Sequence, residues 1–143
     1  MAQEINEMVL PIGTTDANSV SNLSLAFLGD SVYELVIRNL ALLKHNGNAG
    51  DLNHITKEYT NAKAQAAISE LLLEELSEEE MHIYKRGRNA KSVSAPKSCS
   101  ISEYRRATGL EALFGHLYLD GKISRITELI TKGLEKYEQR ING

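Results

Sequence analysis

The feature that most constrains the fold is an apolar stretch, LAFLGDSVYELV at residues 25–36, with a Gly-Asp pair at its centre. Apolar residues at helical spacing predict a helix from about Asn22 to Lys44. This helix is apolar on nearly all sides, which predicts a buried central position. Gly29 and Asp30 are poor helix formers, and glycine inside a helix costs about 1 kcal/mol relative to alanine. The pair therefore needs a reason other than helix propensity.

A second acidic residue, Glu111, lies in equally apolar surroundings in the segment ATGLEALFGHLYL. Glycines stand on both sides of it, and glycines let two helix backbones approach closely. If the two predicted helices cross near Gly29 and Gly115, Asp30 and Glu111 converge. We expect Asp30 to be buried, where an aspartate without a partner costs several kcal/mol.

Two converging carboxylates repel each other unless a cation lies between them. Because no histidine or cysteine is near, these hard oxygen ligands favour Mg²⁺ or Mn²⁺. Mg²⁺ is typically bound through one or two carboxylates and completes its shell with water and phosphate oxygens. Such a site suits phosphodiester hydrolysis. The alternative is that each acid is an exposed residue or forms structural hydrogen bonds.

The remaining sequence predicts an all-α helical bundle. Residues 1–143 form one predicted domain, in which 1–18 are an irregular leader. After the first helix we expect a second from an Asp51 N-cap to Leu76, and a third from SEEE at 77–80 to about 86–90. A Ser/Pro/Lys loop at 90–101 precedes a fourth helix at 102–121 and a closing amphipathic helix at 122–141.

Charge is unevenly distributed along the chain, whose net charge is −3. Residues 84–106 contain seven basic residues and one acidic residue, so this segment carries +6 and the rest of the chain −9. A basic segment on an acidic body is typical of a surface that meets a polyanion. The alternative is a solvated, charged loop.

Several classes of protein and site are disfavoured. The longest apolar runs fall short of the roughly 18 residues of a membrane span. The N-terminal residues lack the pattern of a signal or transit peptide. Cys99 is the single cysteine, which excludes an intramolecular disulfide and predicts a cytoplasmic protein. The four histidines show no metal-binding spacing.

Two motifs carry a resemblance to a known family. LAFLGDSVYEL resembles the signature helix of the ribonuclease III family, and TGLEALFGHLYLDG resembles its second acidic motif. The resemblance covers residues 23–137. The four acidic positions of the family fall on Ala26, Asp30, Thr108 and Glu111, of which only Asp30 and Glu111 are acidic here. One acid in each motif is the pattern of the mini-ribonuclease III branch, which YKRGRNAKS also resembles.

The resemblance implies a catalytic domain without a double-stranded-RNA-binding domain. It would cleave double-stranded RNA with Mg²⁺, or Mn²⁺ as a substitute, held by the catalytic residues Asp30 and Glu111. Gly29 and Gly115 would provide close helix packing. The protein would work as a homodimer on the ends of precursor 23S ribosomal RNA, and a ribosomal protein could present that substrate.

The basic segment is expected to contact RNA in this interpretation. The candidate RNA-binding residues are Lys85, Arg86, Arg88, Asn89, Lys91, Lys97 and Arg105. The missing acids at two family positions leave open a non-catalytic RNA-binding or assembly protein of the same fold. A bundle that binds only other proteins is a third hypothesis.

Overall fold

The computed structural model describes residues 15–90 and 95–143. This part of the chain contains six α-helices and no strand, so the all-α prediction is confirmed. The helices are α1 (Asn22–Lys44), α2 (Ala49–Thr60), α3 (Ala62–Leu72), α4 (Glu78–Asn89), α5 (Ile101–Leu119) and α6 (Ile123–Asn142), with short 3₁₀ turns at Ala17–Ser19 and Leu73–Glu75. None of these helices combines the length and the hydropathy that crossing a bilayer requires.

Serine residues cap the N-termini of helices α4 and α5. Ser77 and Ser100 begin α4 and α5 with capping boxes, in which each serine and the glutamate three residues later satisfy backbone N–H groups reciprocally. The predicted start of α4 is confirmed, and α5 begins one residue earlier than predicted. The bounds of α1 agree with the predicted helix.

The predicted helix from Asp51 to Leu76 is wrong, because the chain breaks there into two helices. Asn48, not Asp51, is the first cap, and its Oδ1 accepts a hydrogen bond from the Asp51 N–H at 3.0 Å. Asn61 adopts an extended conformation and caps the next helix through the Ala64 N–H at 2.9 Å. Its Nδ2 also donates to the Lys57 carbonyl at 2.9 Å, so one side chain serves both helices.

The central helix is α5, which is buried continuously from Ala112 to Leu117 and packs against α1, α3, α4 and α6. The prediction that α1 is buried on nearly all sides is therefore wrong, since only one of its faces meets α5. Its buried residues are Leu25, Ala26, Gly29, Val32, Tyr33, Ile37 and Ala41. Its exposed large apolar residues are Leu23, Phe27, Leu35, Leu42 and Leu43.

The predicted leader lies mostly outside the described residues. Within the described part, Asp16 caps the Ala17–Ser19 turn and Ala17 is buried, so the leader is not irregular up to residue 18. Asn18 lies against the buried ring of His116 on α5, with 3.3 Å between Oδ1 and Nε2. This contact attaches the turn to the central helix.

A cluster of ion pairs attaches α6 to the region around the second 3₁₀ turn. The Arg125 guanidinium binds the Glu80 carboxylate at 2.9 and 2.8 Å and donates to the Glu75 carbonyl at 2.8 Å. Lys136 contacts Glu75 Oε1 at 3.1 Å. Hydrogen bonds from Arg125 lower the pKa of Glu80. Glu80 is therefore a buried acid with its counter-charge in place.

Candidate active site

Helices α1 and α5 cross in backbone contact at two glycines. A Cβ atom on Gly29 would lie 1.6 Å from the carbonyl oxygen of Glu111. A Cβ atom on Gly115 would lie 2.0 Å from the carbonyl oxygen of Leu25. Any side chain at either position would force the helices apart, and this explains why glycine occurs inside two otherwise well-formed helices.

This crossing brings Asp30 and Glu111 together. Burial, followed by a hydrogen bond to Asp30 and the charge of Asp30, raises the pKa of Glu111 to about 9. No cation of the described residues contributes to lowering that pKa. The two carboxyl groups are thus within interaction range and lack a positively charged partner in this part of the chain.

The two acids differ in exposure. Glu111 is half-buried on the central helix, whereas Asp30 is exposed. The prediction of a buried Asp30 is wrong because Asp30 lies at the edge of the α1 face that meets α5. The site is therefore open to solvent on the Asp30 side and enclosed on the Glu111 side, an arrangement that a large polyanionic substrate can reach.

An aromatic pair lies one helical turn beyond the acids. Tyr33 and Phe114 are both fully buried, and their rings are parallel within 3° with centroids 5.9 Å apart. The Tyr33 hydroxyl donates to the Tyr59 carbonyl at 2.8 Å. Burial, with smaller contributions that include Glu111, raises the pKa of Tyr33 far above its usual range. Sequence reasoning missed Tyr33, although its spacing of three residues from Asp30 was visible.

The residues present fit a small hard cation. The described residues contain no group of three or more His, Cys, Asp or Glu side chains arranged to hold a metal. Two carboxylates nevertheless suffice for Mg²⁺, which usually keeps several waters and takes further oxygens from a phosphate substrate. The mutual repulsion of Asp30 and Glu111 is the property that such a cation would relieve.

The two family positions without acids are packed into the protein. Ala26 and Thr108 are both buried at 7% exposure. The Thr108 hydroxyl donates to the Tyr104 carbonyl one turn earlier, at 2.9 Å. Neither side chain offers a carboxylate oxygen, so Asp30 and Glu111 are the acids among the four family positions.

The basic segment is connected to α5, the helix that carries Glu111, through the contact between α4 and α5. A Cβ atom on Gly87 would lie 2.6 Å from the Cβ atom of Ala112, the residue after Glu111. The C-terminal half of α4 therefore runs next to the central helix. Its exposed polar residues are Lys85, Arg86 and Asn89. Lys97 is exposed on the loop that follows α4, and Arg105 is exposed on α5.

Other members of the basic segment differ in their surroundings. Arg88 is half-buried, with its guanidinium carbon 5.9 Å from the centroid of the Tyr84 ring and its Nε donating to Asn89 Oδ1 at 3.3 Å. Arg106 forms a salt bridge with Glu70 on α3, which neutralises part of the +6 charge. The prediction for Lys91 lies outside the described residues.

The chain is similar to proteins of one family over most of its length. Residues 23–122 match the Ribonuclease III domain. It is 44% identical over 117 residues to a Mini-ribonuclease 3 of Brevibacillus brevis, covering 82% of this chain and 87% of that protein. It is 38% identical over 125 residues to a Mini-ribonuclease 3 of Streptococcus pneumoniae, covering 86% and 98%.

A solved structure shares the fold. The chain matches an X-ray crystal structure of a Fusobacterium nucleatum protein with a TM-score of 0.75 and 38% identity, covering 85% of this chain and 98% of that one. The resemblance of the two acidic motifs is thereby confirmed at the level of the family. The chain belongs to the ribonuclease III family, within its mini-ribonuclease 3 group, and is an endoribonuclease of that type.

Proposed function

We propose that this endoribonuclease cleaves double-stranded RNA in a Mg²⁺-dependent reaction, with the cation held by Asp30 and Glu111. The ribonuclease III family acts on double-stranded RNA, is generally dependent on divalent metals and typically forms dimers. The observation that carries the proposal is the convergence of two acids without a cationic partner among the described residues; burial of Glu111, together with Asp30, raises the pKa of Glu111 to about 9.

The chain's own residues prepare the site for a phosphodiester. Gly29 and Gly115 hold the helix backbones in contact, which fixes Asp30 and Glu111 on facing surfaces. Enclosure of Glu111 limits access of water from the side of α5, while the exposed Asp30 leaves room for the RNA backbone. When bound, Mg²⁺ would activate a water molecule and stabilise charge on the scissile phosphate.

The exposed basic residues of α4 and α5 support binding of a duplex. Lys85 and Arg86 on α4 and Arg105 on α5 present charges that can neutralise phosphates. A-form RNA hides its base edges in a deep, narrow groove, so recognition would depend on shape, phosphates and 2′-hydroxyl groups. The natural substrate that we propose is the double-stranded region at the ends of precursor 23S ribosomal RNA.

The exposed apolar face of α1 supports a homodimer. Phe27 is 83% exposed and Leu35 is 68% exposed, on the surface opposite the α5 contact. A two-fold dimer through this face would give two copies of the site, one for each antiparallel strand of a duplex. The substitution Phe27→Asp should convert the dimer to a monomer, which sedimentation measures. A dimer that forms as in wild type would exclude this face.

A cleavage assay on duplex RNA, with and without Mg²⁺, tests the proposed reaction. We expect cleavage that requires the cation and the duplex. Single-stranded RNA of the same sequence is the control, and preferential cleavage of that control would contradict the proposed substrate. Precursor 23S RNA with paired ends, compared with a version whose ends cannot pair, then tests the proposed natural substrate.

The contribution of the basic surface is measured separately. Counterion release makes the affinity for RNA fall with salt by a slope that scales with the number of phosphate contacts. Lys85→Ala combined with Arg86→Ala should weaken binding to every duplex sequence and flatten the slope by up to about one unit per contact. Lys132→Ala, which removes one exposed charge on α6, is the control for loss of surface charge away from α4. Equal salt dependence in both variants would contradict an RNA contact on α4.

A further inference from the structure

The glycine crossing brings α1 and α5 together but leaves their relative rotation to other contacts, because glycine has no side chain that interlocks. A contact between the same two helices lies three residues beyond each acid. Tyr33 follows Asp30 by one turn and Phe114 follows Glu111 by one turn, and residues three apart are neighbours on a helix surface. The stacked rings therefore connect the two surfaces that carry the carboxyl groups.

Tyr33 is also attached to a third helix. Its hydroxyl donates to the carbonyl of Tyr59, in the last turn of α2, at 2.8 Å. Carbonyls in the last turn of a helix lack partners within that helix, so this hydrogen bond satisfies one of them. The Tyr33 side chain is completely buried. Helices α1, α2 and α5 thus meet at one aromatic ring directly behind the candidate site.

We propose that Tyr33 is a positioning residue, which sets the separation of Asp30 and Glu111 and thereby the affinity of the site for a divalent cation. The inference rests on the proposed function, in which these two carboxylates hold the metal. Because Asp30 and Glu111 are the two carboxylates proposed to hold the metal, a small rotation of α1 on α5 changes half of these ligands. Groups that orient metal ligands without touching the metal commonly change its affinity by about 10- to 100-fold.

The test measures Mn²⁺ binding to the RNA-free protein by electron paramagnetic resonance. Tyr33→Phe keeps the stacked ring and removes the hydrogen bond to Tyr59, so we expect the dissociation constant for Mn²⁺ to rise by about two- to tenfold. Tyr33→Leu removes the stacked ring as well and should raise the dissociation constant by tenfold or more, which is the size of effect seen for other groups that orient metal ligands. In cleavage of duplex RNA, the Mg²⁺ midpoint should shift while the rate at saturating Mg²⁺ stays near wild type.

Tyr84→Phe is the matched control, since Tyr84 is equally buried and its hydroxyl lies 3.4 Å from the Ser69 hydroxyl on another helix. It should bind Mn²⁺ as wild type does. Unchanged Mn²⁺ affinity in Tyr33→Phe, or an equal loss in Tyr84→Phe, would overturn the positioning role. Asp30→Asn identifies failure of the proposed function itself: if it binds Mn²⁺ like wild type, the metal is held elsewhere and both proposals fall.

Discussion

Two glutamates of this chain lie against packed helices in electrostatically opposite surroundings. Glu80, at the start of α4, is 8% exposed and receives two hydrogen bonds from Arg125, which lower its pKa. Glu111, on α5, faces the carboxyl group of Asp30 instead, and burial, followed by the contact with Asp30, raises its pKa to about 9. The same side chain is neutralised by an arginine in one place, and in the other it has no counter-charge from residues 15–90 or 95–143.

The difference separates a structural acid from a functional one. A buried charge whose partner is built into the chain, as Arg125 is for Glu80, attaches α6 to the start of α4 and requires nothing further. A carboxyl pair without a cation costs free energy in the isolated protein, and conflicts of this kind are expected where a ligand binds. The Glu80 pair thus belongs to the scaffold, and the Asp30–Glu111 pair is the place where an added cation would be stabilised.

The largest expected effect follows from removing either acid of the pair. Asp30→Asn and Glu111→Gln keep the shape of each side chain and remove its charge. We expect Mg²⁺-dependent cleavage to fall by at least about 100-fold, because even groups behind metal ligands have effects up to that size. Single-turnover rates with bound duplex RNA measure the loss. A rate near wild type in either variant would assign the chemistry to other residues.

Removing the partner of Glu80 should affect stability and leave the chemistry intact. Arg125→Ala leaves a buried carboxylate without its counter-charge, which typically costs about 3–5 kcal/mol. Lys132→Ala is the control, because it breaks a half-exposed pair with Glu75 that is expected to contribute less than about 1 kcal/mol. Denaturant unfolding measures both. Equal stability of the two variants would show that the Glu80 pair is not structural.

The two glutamates predict opposite dependences of stability on pH in the metal-free protein. Between pH 4.5 and about 9 the folded protein holds a proton on Glu111 that the unfolded chain has lost, so its free energy of unfolding falls as pH rises. The lowered pKa of Glu80 contributes stability that is lost as pH falls below 4.5.

Unfolding curves measured across this range test both signs. Glu111→Gln should flatten the decline above pH 4.5, and Glu80→Gln should flatten the decline below it. If Glu111→Gln keeps the full slope of wild type at neutral pH, a different group carries the titration and the carboxyl pair is not the source.

The acid crossing was predictable because its causes are local in sequence. Gly29 and Gly115 interrupt strongly helical segments, and a glycine there signals close approach of another backbone. The bounds of α1 and the start of α4 were predictable for a similar reason, since apolar spacing and the Ser77 cap mark them directly.

The remaining features depend on contacts that sequence periodicity does not contain. Asn61 breaks the predicted second helix because its side chain caps both neighbouring helices, although residues 62–64 after it favour helix. Periodicity identifies the apolar faces of α1 but not which face meets α5, so it places Asp30 in the interior, whereas the structure places it at the surface. The role of Tyr33 depends on the carbonyl of Tyr59, which lies 26 residues away along the chain.

In our proposal, Asp30 and Glu111 form a carboxyl pair that a divalent cation stabilises. Thermal unfolding at neutral pH, with and without Mg²⁺, tests it most directly in wild type, Glu111→Gln and Glu80→Gln. We predict that Mg²⁺ raises the melting temperature of wild type and Glu80→Gln but not of Glu111→Gln. Without Mg²⁺, Glu111→Gln should be more stable than wild type. An equal response to Mg²⁺ in wild type and Glu111→Gln would contradict the claim.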